Sequence, residues 1–312
     1  MPPLTIGIPS ALAVLSFGIV TWQFIAAQRF PLHRRSPNLG FAPGITLLKP
    51  LKGCDPDHSE RCLTSWLRQD YAGPLQFLFV VADANDPVVP LVQRLIAGHP
   101  QCDAQLLVFP ELVGANAKVS KLAQAEGLIT HDLVLVSDAD VLAPSDLLSQ
   151  MVLPLQDDGV ALVHSFYRLA NPSNTAMEWE ATAMNADFWS QVLQSRTLAP
   201  MDFALGAAML LRRSALEGIG GFRALVDYLA DDFQLGHRIA AAGGRIELTP
   251  VVVECLDGAL CDTDVEHRPH GGGVDGRVLD VGRLSPDQAC DADTDAGRGG
   301  DLWQSIQVGS QL

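Results

Sequence analysis

Basic side chains are scarce: 21 Lys and Arg stand against 36 Asp and Glu, for a formal charge of −15 at pH 7. A surface of that sign repels phosphate backbones, so nucleic acid is not expected as a partner. Cysteine is sparse too. The six thiols, Cys54, Cys62, Cys102, Cys255, Cys261 and Cys290, form no C-x-x-C pair and no zinc-ligand spacing, and a chain of 312 residues needs no disulfide staples. They are expected to be reduced in a cytosol-facing domain. The Gly218-Ile219-Gly220-Gly221-Phe222 stretch lacks the G-x-G-x-x-G spacing and the preceding strand of a dinucleotide site, which excludes that reading.

Charge is absent altogether from Leu4 to Ala27. This apolar run exceeds the roughly 20 helical residues that cross a bilayer core, and Trp22 and Phe24 suit its interfacial end. A cleaved signal peptide carries positive charge before its apolar stretch. Here nothing basic precedes the run, and Arg29, His33, Arg34 and Arg35 follow it. Residues 1–28 are therefore expected to form a transmembrane anchor, with residue 28 onward in the cytoplasm by the positive-inside rule. The alternative is the core helix of a soluble protein, which rarely stays uncharged for so long.

Pro31, Pro37, Gly40, Pro43 and Gly44 mark residues 29–44 as a linker. Beyond it, short apolar runs alternate with helix-compatible stretches, as in βα units. Strands are expected at Ile45–Leu48, Gln76–Ala82, Gln105–Phe109 and Asp132–Ser137, each reading as covered on both faces because polar alternation is missing. Helices are expected at Ser59–Gln69, Pro87–Ala97, with its opening proline, and Lys118–Ile129. The pattern predicts an α/β domain over residues 45–255 with a doubly wound, mostly parallel sheet. Ligands of such sheets sit outside the carboxyl ends of the strands.

Two of those strands end in aspartate: Val80-Val81-Ala82 runs into Asp83, and Val134-Leu135-Val136-Ser137 into Asp138-Ala139-Asp140. Two carboxylates flanking one small residue can reach a single divalent ion, either both directly or one of them through water. Hard oxygen ligands and few protein contacts suit magnesium or manganese shared with a substrate diphosphate. A D-x-D triplet is also a common turn former at a strand end. Further along, Asp231-Asp232 opens a helical pattern that continues to Ile239, where either carboxylate can cap the helix start.

Five segments occur in order along the chain: Lys49-Pro50-Leu51-Lys52-Gly53, Val81-Ala82-Asp83-Ala84-Asn85-Asp86-Pro87, Asn116-Ala117-Lys118-Val119-Ser120-Lys121-Leu122, Ser137-Asp138-Ala139-Asp140 and Leu229-Ala230-Asp231-Asp232-Phe233. Together they resemble the ceramide glucosyltransferase family and the related bacterial glycosyltransferases associated with hopanoid synthesis, from about Ile45 to Cys255. The resemblance implies a GT-A fold and transfer of a hexose or N-acetylhexosamine, with inversion, from a nucleotide sugar to a lipid hydroxyl at the membrane. A uridine diphosphate sugar is the expected donor. The resemblance implies Asp83 at the nucleotide, Asp138 and Asp140 at a divalent metal (Mn or Mg) and its diphosphate, and Asp232 as general base. Asn116 and Lys118 match the segment that approaches the nucleotide, although Lys118 also reads as a solvated lysine at a helix end. Leu205 to Arg213 resembles the strand beside the donor sugar. Gly206 there either lets backbone approach the ligand or serves tight packing.

After Cys255 the family pattern continues to a [QR]-x-x-R-W segment and further membrane helices, and this sequence does not. Residues 256–312 hold 11 acidic against 4 basic side chains, with much glycine and little periodicity, a composition expected to stay disordered. A truncated or frame-shifted end near Cys255 is the expectation. His267 and His270 are too isolated to suggest a metal site. Two functions are therefore carried forward: lipid glycosylation, and an inactive membrane-anchored module that only binds nucleotide sugar. A processive polysaccharide synthase is disfavoured, since no C-terminal helices are seen that would build a translocation channel.

Overall fold

The computed structural model describes residues 4–37, 40–55 and 58–256. The expectations for the acidic tail, for its cysteines and histidines and for the chain end lie outside the described residues. Helix α1 (Leu4–Arg29) is about 39 Å long at 1.5 Å per residue, and it is apolar and long enough to cross a membrane. Most of its side chains face outward, with Phe17 75% and Val14 73% exposed, whereas Ala26 near its end is buried. The segment after it is fastened to the domain. His33 N donates to Pro250 O at 2.8 Å, Ser36 N to Gln150 Oε1 at 2.8 Å, and Arg35 pairs with Asp146.

Among the described residues eight strands form one sheet in the order β3-β2-β1-β4-β7-β6-β8-β5. Its first half is the parallel set β1 (Ile45–Pro50), β2 (Leu75–Val81), β3 (Asp103–Val108) and β4 (Leu133–Ser137). β1 and β4 are buried along their length, and burying each such Leu, Val or Ile contributes about 1.5–3 kcal/mol before entropy is counted. β3 departs from expectation: it is the sheet edge and its residues are only partly covered, because nothing pairs with its outer side.

Helices α2 (Ser59–Leu67), α3 (Val89–Gly98) and α4 (Ala117–Ala125) connect these strands. They are shorter than their sequence patterns. α4 gives way at Glu126–Leu128 to a tighter 3₁₀ turn around Gly127, which has the weakest helix propensity short of proline. α3 starts after Pro87, with Pro90 in its first turn instead.

The second half of the sheet is mixed. Strand β7 (Ala208–Arg212) runs antiparallel between β4 and β6 (Val160–Leu169), and β8 (Arg245–Cys255) pairs parallel to β6. The two-residue β5 (Val141–Leu142) pairs antiparallel with Glu254 and Cys255 at the end of β8. Short helix α5 (Leu147–Met151) follows β5. Between β6 and β7 the chain makes α6 (Thr175–Thr182), a π turn (Ala183–Phe188) and α7 (Trp189–Ser195). After β7 come α8 (Arg213–Gly218) and α9 (Asp231–Ala241). Lys118, in the first turn of α4, bridges the carboxyl end of β4 to the start of α9.

Candidate active site

The Asp138-Ala139-Asp140 turn is held from beneath by its main chain. Lys49, on β1 next to β4, is fully buried; its ammonium donates to Ser137 Oγ at 3.2 Å and to the Asp138 carbonyl. It also lies 4.8 Å from the Trp66 ring centroid. Trp66 Nε1 donates to Val141 O at 3.0 Å. The Cys62 thiol donates to Asp140 O at 3.1 Å, and Leu256 N reaches the same oxygen at 3.0 Å. A buried cation is costly unless it is hydrogen-bonded, so the lysine and the turn hold each other in one geometry. Burial pushes the Lys49 ammonium down to about 8 despite the negative groups around it, and it pushes the Cys62 thiol up to about 11.

Above this floor the carboxylates of Asp138 and Asp140 are half-buried. Lys118, in the first turn of α4, places Nζ 2.7 Å from Asp138 Oδ1 and 3.3 Å from Asp231 Oδ2. Burial alone would lower its ammonium, but Asp138 and Asp231, with Asp232 further off, outweigh it and hold Lys118 well above the usual lysine range. Lys118 is thus a buried, paired cation and not a solvated helix-end lysine. Asn116 caps α4, accepting from Lys118 N at 2.9 Å and Val119 N at 3.2 Å. Its amide donates to Tyr228 O at 2.8 Å and to Asp231 Oδ1 at 3.4 Å. Asn116 therefore ties the start of α4 to the start of α9.

Neither aspartate of Asp231-Asp232 caps α9, because Ala230 occupies that position and no side chain caps it. Asp231 is instead committed to Lys118 and Asn116. Asp232 accepts from Phe233 N at 2.7 Å. Burial and the neighbouring Asp231 charge push its carboxyl up to about 6, against the opposing pull of Lys118. Gly206 lies against it: a Cβ there would come within 3.1 Å of Asp232 Oδ2. The missing side chain lets the Gly206 backbone approach the carboxylate closely.

The structure thus brings Asn116, Lys118, Asp138, Gly206 and Asp232 into one cluster with Asp140 on the same turn. Asp83 sits apart, exposed at the end of β2, two strands from β4, where it accepts from Asn85 N at 2.8 Å and Asn85 Nδ2 at 3.2 Å. The neighbouring Asp86 holds Gly53 N at 3.0 Å, joining the loops after β1 and β2 along the same edge. Lys49 and Asp231 are site residues that the motifs alone did not single out. Among the described residues no three His, Cys, Asp or Glu are placed to hold a metal by themselves. The donor chemistry of Asp138 and Asp140 does fit an ion that takes its remaining oxygens from a diphosphate.

Comparison with known proteins gives the same picture. The family model for glycosyl transferase family 21 matches residues 8–261. The chain is 25% identical over 222 residues to ceramide glucosyltransferase 3 of Caenorhabditis elegans, an overlap of 70% of this chain and 47% of that one. It is 28% identical over 262 residues to an N-acetylglucosaminyltransferase of Bradyrhizobium diazoefficiens, covering 77% of this chain and 52% of the relative. It therefore spans about half the length of these relatives. A mannosyltransferase from Pyrobaculum calidifontis, solved with GDP-mannose and Mn2+, superposes with a TM-score of 0.60 at 24% identity, over 84% of this chain and 71% of that one. The fold is GT-A, and the chain belongs to glycosyl transferase family 21.

Proposed function

We propose that this chain transfers a hexose or N-acetylhexosamine from a nucleotide sugar to a lipid hydroxyl at a membrane surface, with inversion at the anomeric carbon. The observation that carries the reading is the placement of Asp232, a carboxylate with a raised pKa against which the Gly206 backbone packs, near the Lys118–Asp138 pair. In the reaction the acceptor oxygen attacks the anomeric carbon. The bond from that carbon to the diphosphate breaks, its electron pair leaves with the nucleoside diphosphate, and the hydroxyl proton passes to Asp232. A single displacement of this kind inverts the centre. General bases act best with a pKa near the working pH, and about 6 for Asp232 meets that need.

Asp138 and Asp140 would hold a manganese or magnesium ion jointly with the diphosphate, and such an ion supplies Lewis-acid stabilisation of the leaving group. Lys118 contributes positive charge at the same place, and Asn116 keeps α4 oriented so that it does. Asp83, exposed after β2, would contact the nucleoside of the donor. The names of the relatives, ceramide glucosyltransferases and N-acetylglucosaminyltransferases, support the two sugar classes and, for the former, a lipid acceptor. α1 supports membrane attachment, and the basic residues after it support a cytoplasmic domain.

The test is transfer from radiolabelled uridine diphosphate sugars by the full chain in vesicles containing ceramide. Labelled lipid that disappears in Asp232→Asn is the expected result. Donor retained without any lipid product would instead establish a nucleotide-sugar binding module.

A further inference from the structure

Helix α1 does not stand apart from the domain. Gln194, near the end of α7, donates from Nε2 to the Ile19 carbonyl at 3.5 Å. At the foot of α1, Phe30 packs on Phe166 with ring centroids 5.0 Å apart, and Phe166 packs in turn on Trp189 at 4.2 Å. Ile19 precedes Ala27, the end of the uncharged run, by eight residues, which is about 12 Å along a helix axis. Half of a bilayer's hydrocarbon core is about 15 Å thick, and a tilt of about 20° shortens the helix projection only slightly. With α1 spanning a bilayer, the far end of α7 is inside the leaflet that receives the C-terminal half of α1.

The residues just beyond α7 suit that place. Thr197, Leu198, Ala199 and Pro200 are uncharged and exposed, with Leu198 at 72%. The flanking charges bound the stretch: Arg196 reaches Glu247 at 3.3 Å and stacks 5.3 Å from the Phe30 ring, and Asp202 lies on the other side. From this tip the chain runs directly to the reaction centre. Met201, Phe203, Ala204 and Leu205 are buried, and Gly206 abuts Asp232. Gly206 lies six positions beyond Pro200, a span of at most about 22 Å.

We propose that the tip Thr197–Pro200 is inserted in the leaflet entered by the C-terminal half of α1, and that a lipid acceptor reaches Asp232 from this tip. The proposal rests on the membrane-anchored lipid glycosyltransferase reading. It specifies which surface of the domain touches the bilayer and how far the reacting hydroxyl must rise: no more than the reach of the Met201–Gly206 segment.

The test uses the full chain in phosphatidylcholine vesicles and a membrane-impermeant maleimide, with the labelling of the unsubstituted chain subtracted. Leu198→Cys is compared with Leu112→Cys, which is 65% exposed in the loop after β3 at the other end of the sheet, and with Phe17→Cys on α1. Leu198→Cys and Phe17→Cys are both expected to label at least about ten-fold more slowly than Leu112→Cys, because reagent and thiolate are excluded from hydrocarbon. Equal labelling of Leu198→Cys and Leu112→Cys, with Phe17→Cys protected, overturns the inserted tip and leaves the anchor intact. Rapid labelling of Phe17→Cys as well removes the anchor reading and the proposal with it. Ala199→Cys repeats the measurement should Leu198→Cys fail to fold.

Discussion

The two acidic pairs of the site are built in opposite ways. At Asp138-Ala139-Asp140 the protein grips the main chain, with Lys49 and Cys62 donating to the carbonyls of Asp138 and Asp140 and Trp66 to that of Val141 just beyond; both aspartates stay half-buried, with Asp138 paired to Lys118. At Asp231-Asp232 the protein grips one side chain and spares the other. Asp231 is held by an ion pair with Lys118 and a hydrogen bond from Asn116, whereas Asp232 is pushed upward by burial and by the Asp231 charge. Neighbouring carboxylates with divergent environments divide into distinct roles: the first pair suits joint work on one cation, the second suits one structural anion and one proton acceptor.

Asp232→Asn breaks the second half of that comparison and has the largest expected effect. Transfer should fall by roughly 10² to 10⁴, the range typical of acid–base groups, while donor affinity stays within a few-fold. Titration with donor and a transfer assay on the same sample check this. Loss of donor binding with an intact circular dichroism spectrum would move Asp232 into the nucleotide site.

Asp138→Asn and Asp140→Asn act on the first pair. Each removes one negative oxygen ligand with little change of shape, so manganese-dependent affinity for a uridine diphosphate sugar should drop by at least about ten-fold, given that even outer-shell losses cost that much. Calorimetry with and without manganese reads the difference, and an unchanged metal dependence in both variants would remove the assignment. Lys49→Met sharpens the point from below. It leaves Ser137 Oγ without the lysine donor and takes one of three donors from the Asp138 carbonyl, which keeps Ser137 Oγ and Val141 N, a loss of about 1–3 kcal/mol of stability, measurable by urea denaturation.

The parallel half of the sheet was legible because β4 is an uninterrupted apolar run and β1 and β2 are broken only by Thr46, Lys49 and Gln76, with aspartates just beyond β2 and β4. The second half hid its strands. β6 carries the buried polar residues His164 and Ser165 in mid-strand, β5 is two residues long, and β7 crosses in antiparallel where βα alternation predicts otherwise. Lys49 and Asp231 were missed for a related reason. Lys49 lies just past the expected strand Ile45–Leu48, and its burial shows only once β1 runs on to Pro50 beside β4, while an aspartate at a helix start looks like a cap until Lys118 arrives from α4, more than a hundred residues earlier.

The pH dependence compares Asp232 with itself. Because its carboxylate is the form that accepts a proton, transfer should rise with pH through about 6 and level off above, provided chemistry limits the rate. A profile that rises at the ordinary carboxylate value near 4 would show that burial and the neighbouring Asp231 charge do not outweigh the pull of Lys118 at Asp232.

The smallest expected effect is on stability, and its sign separates a base held under strain from a mere structural anion. A carboxyl whose folded-state pKa is raised above its unfolded value binds its proton more tightly when folded. Its favourable contribution is therefore present below the unfolded pKa and is lost as pH rises through the folded value of about 6. Asp232→Asn removes the titration while keeping nearly the same shape. The variant should consequently melt a few degrees higher than the parent at pH 8, in the range that about 1 kcal/mol produces in a domain of this size. The advantage should vanish below pH 4, where the parent is protonated as well. A variant less stable than the parent at pH 8 would mean that attraction to Lys118 outweighs burial and repulsion at Asp232, and the raised pKa on which the base assignment draws would have to be abandoned.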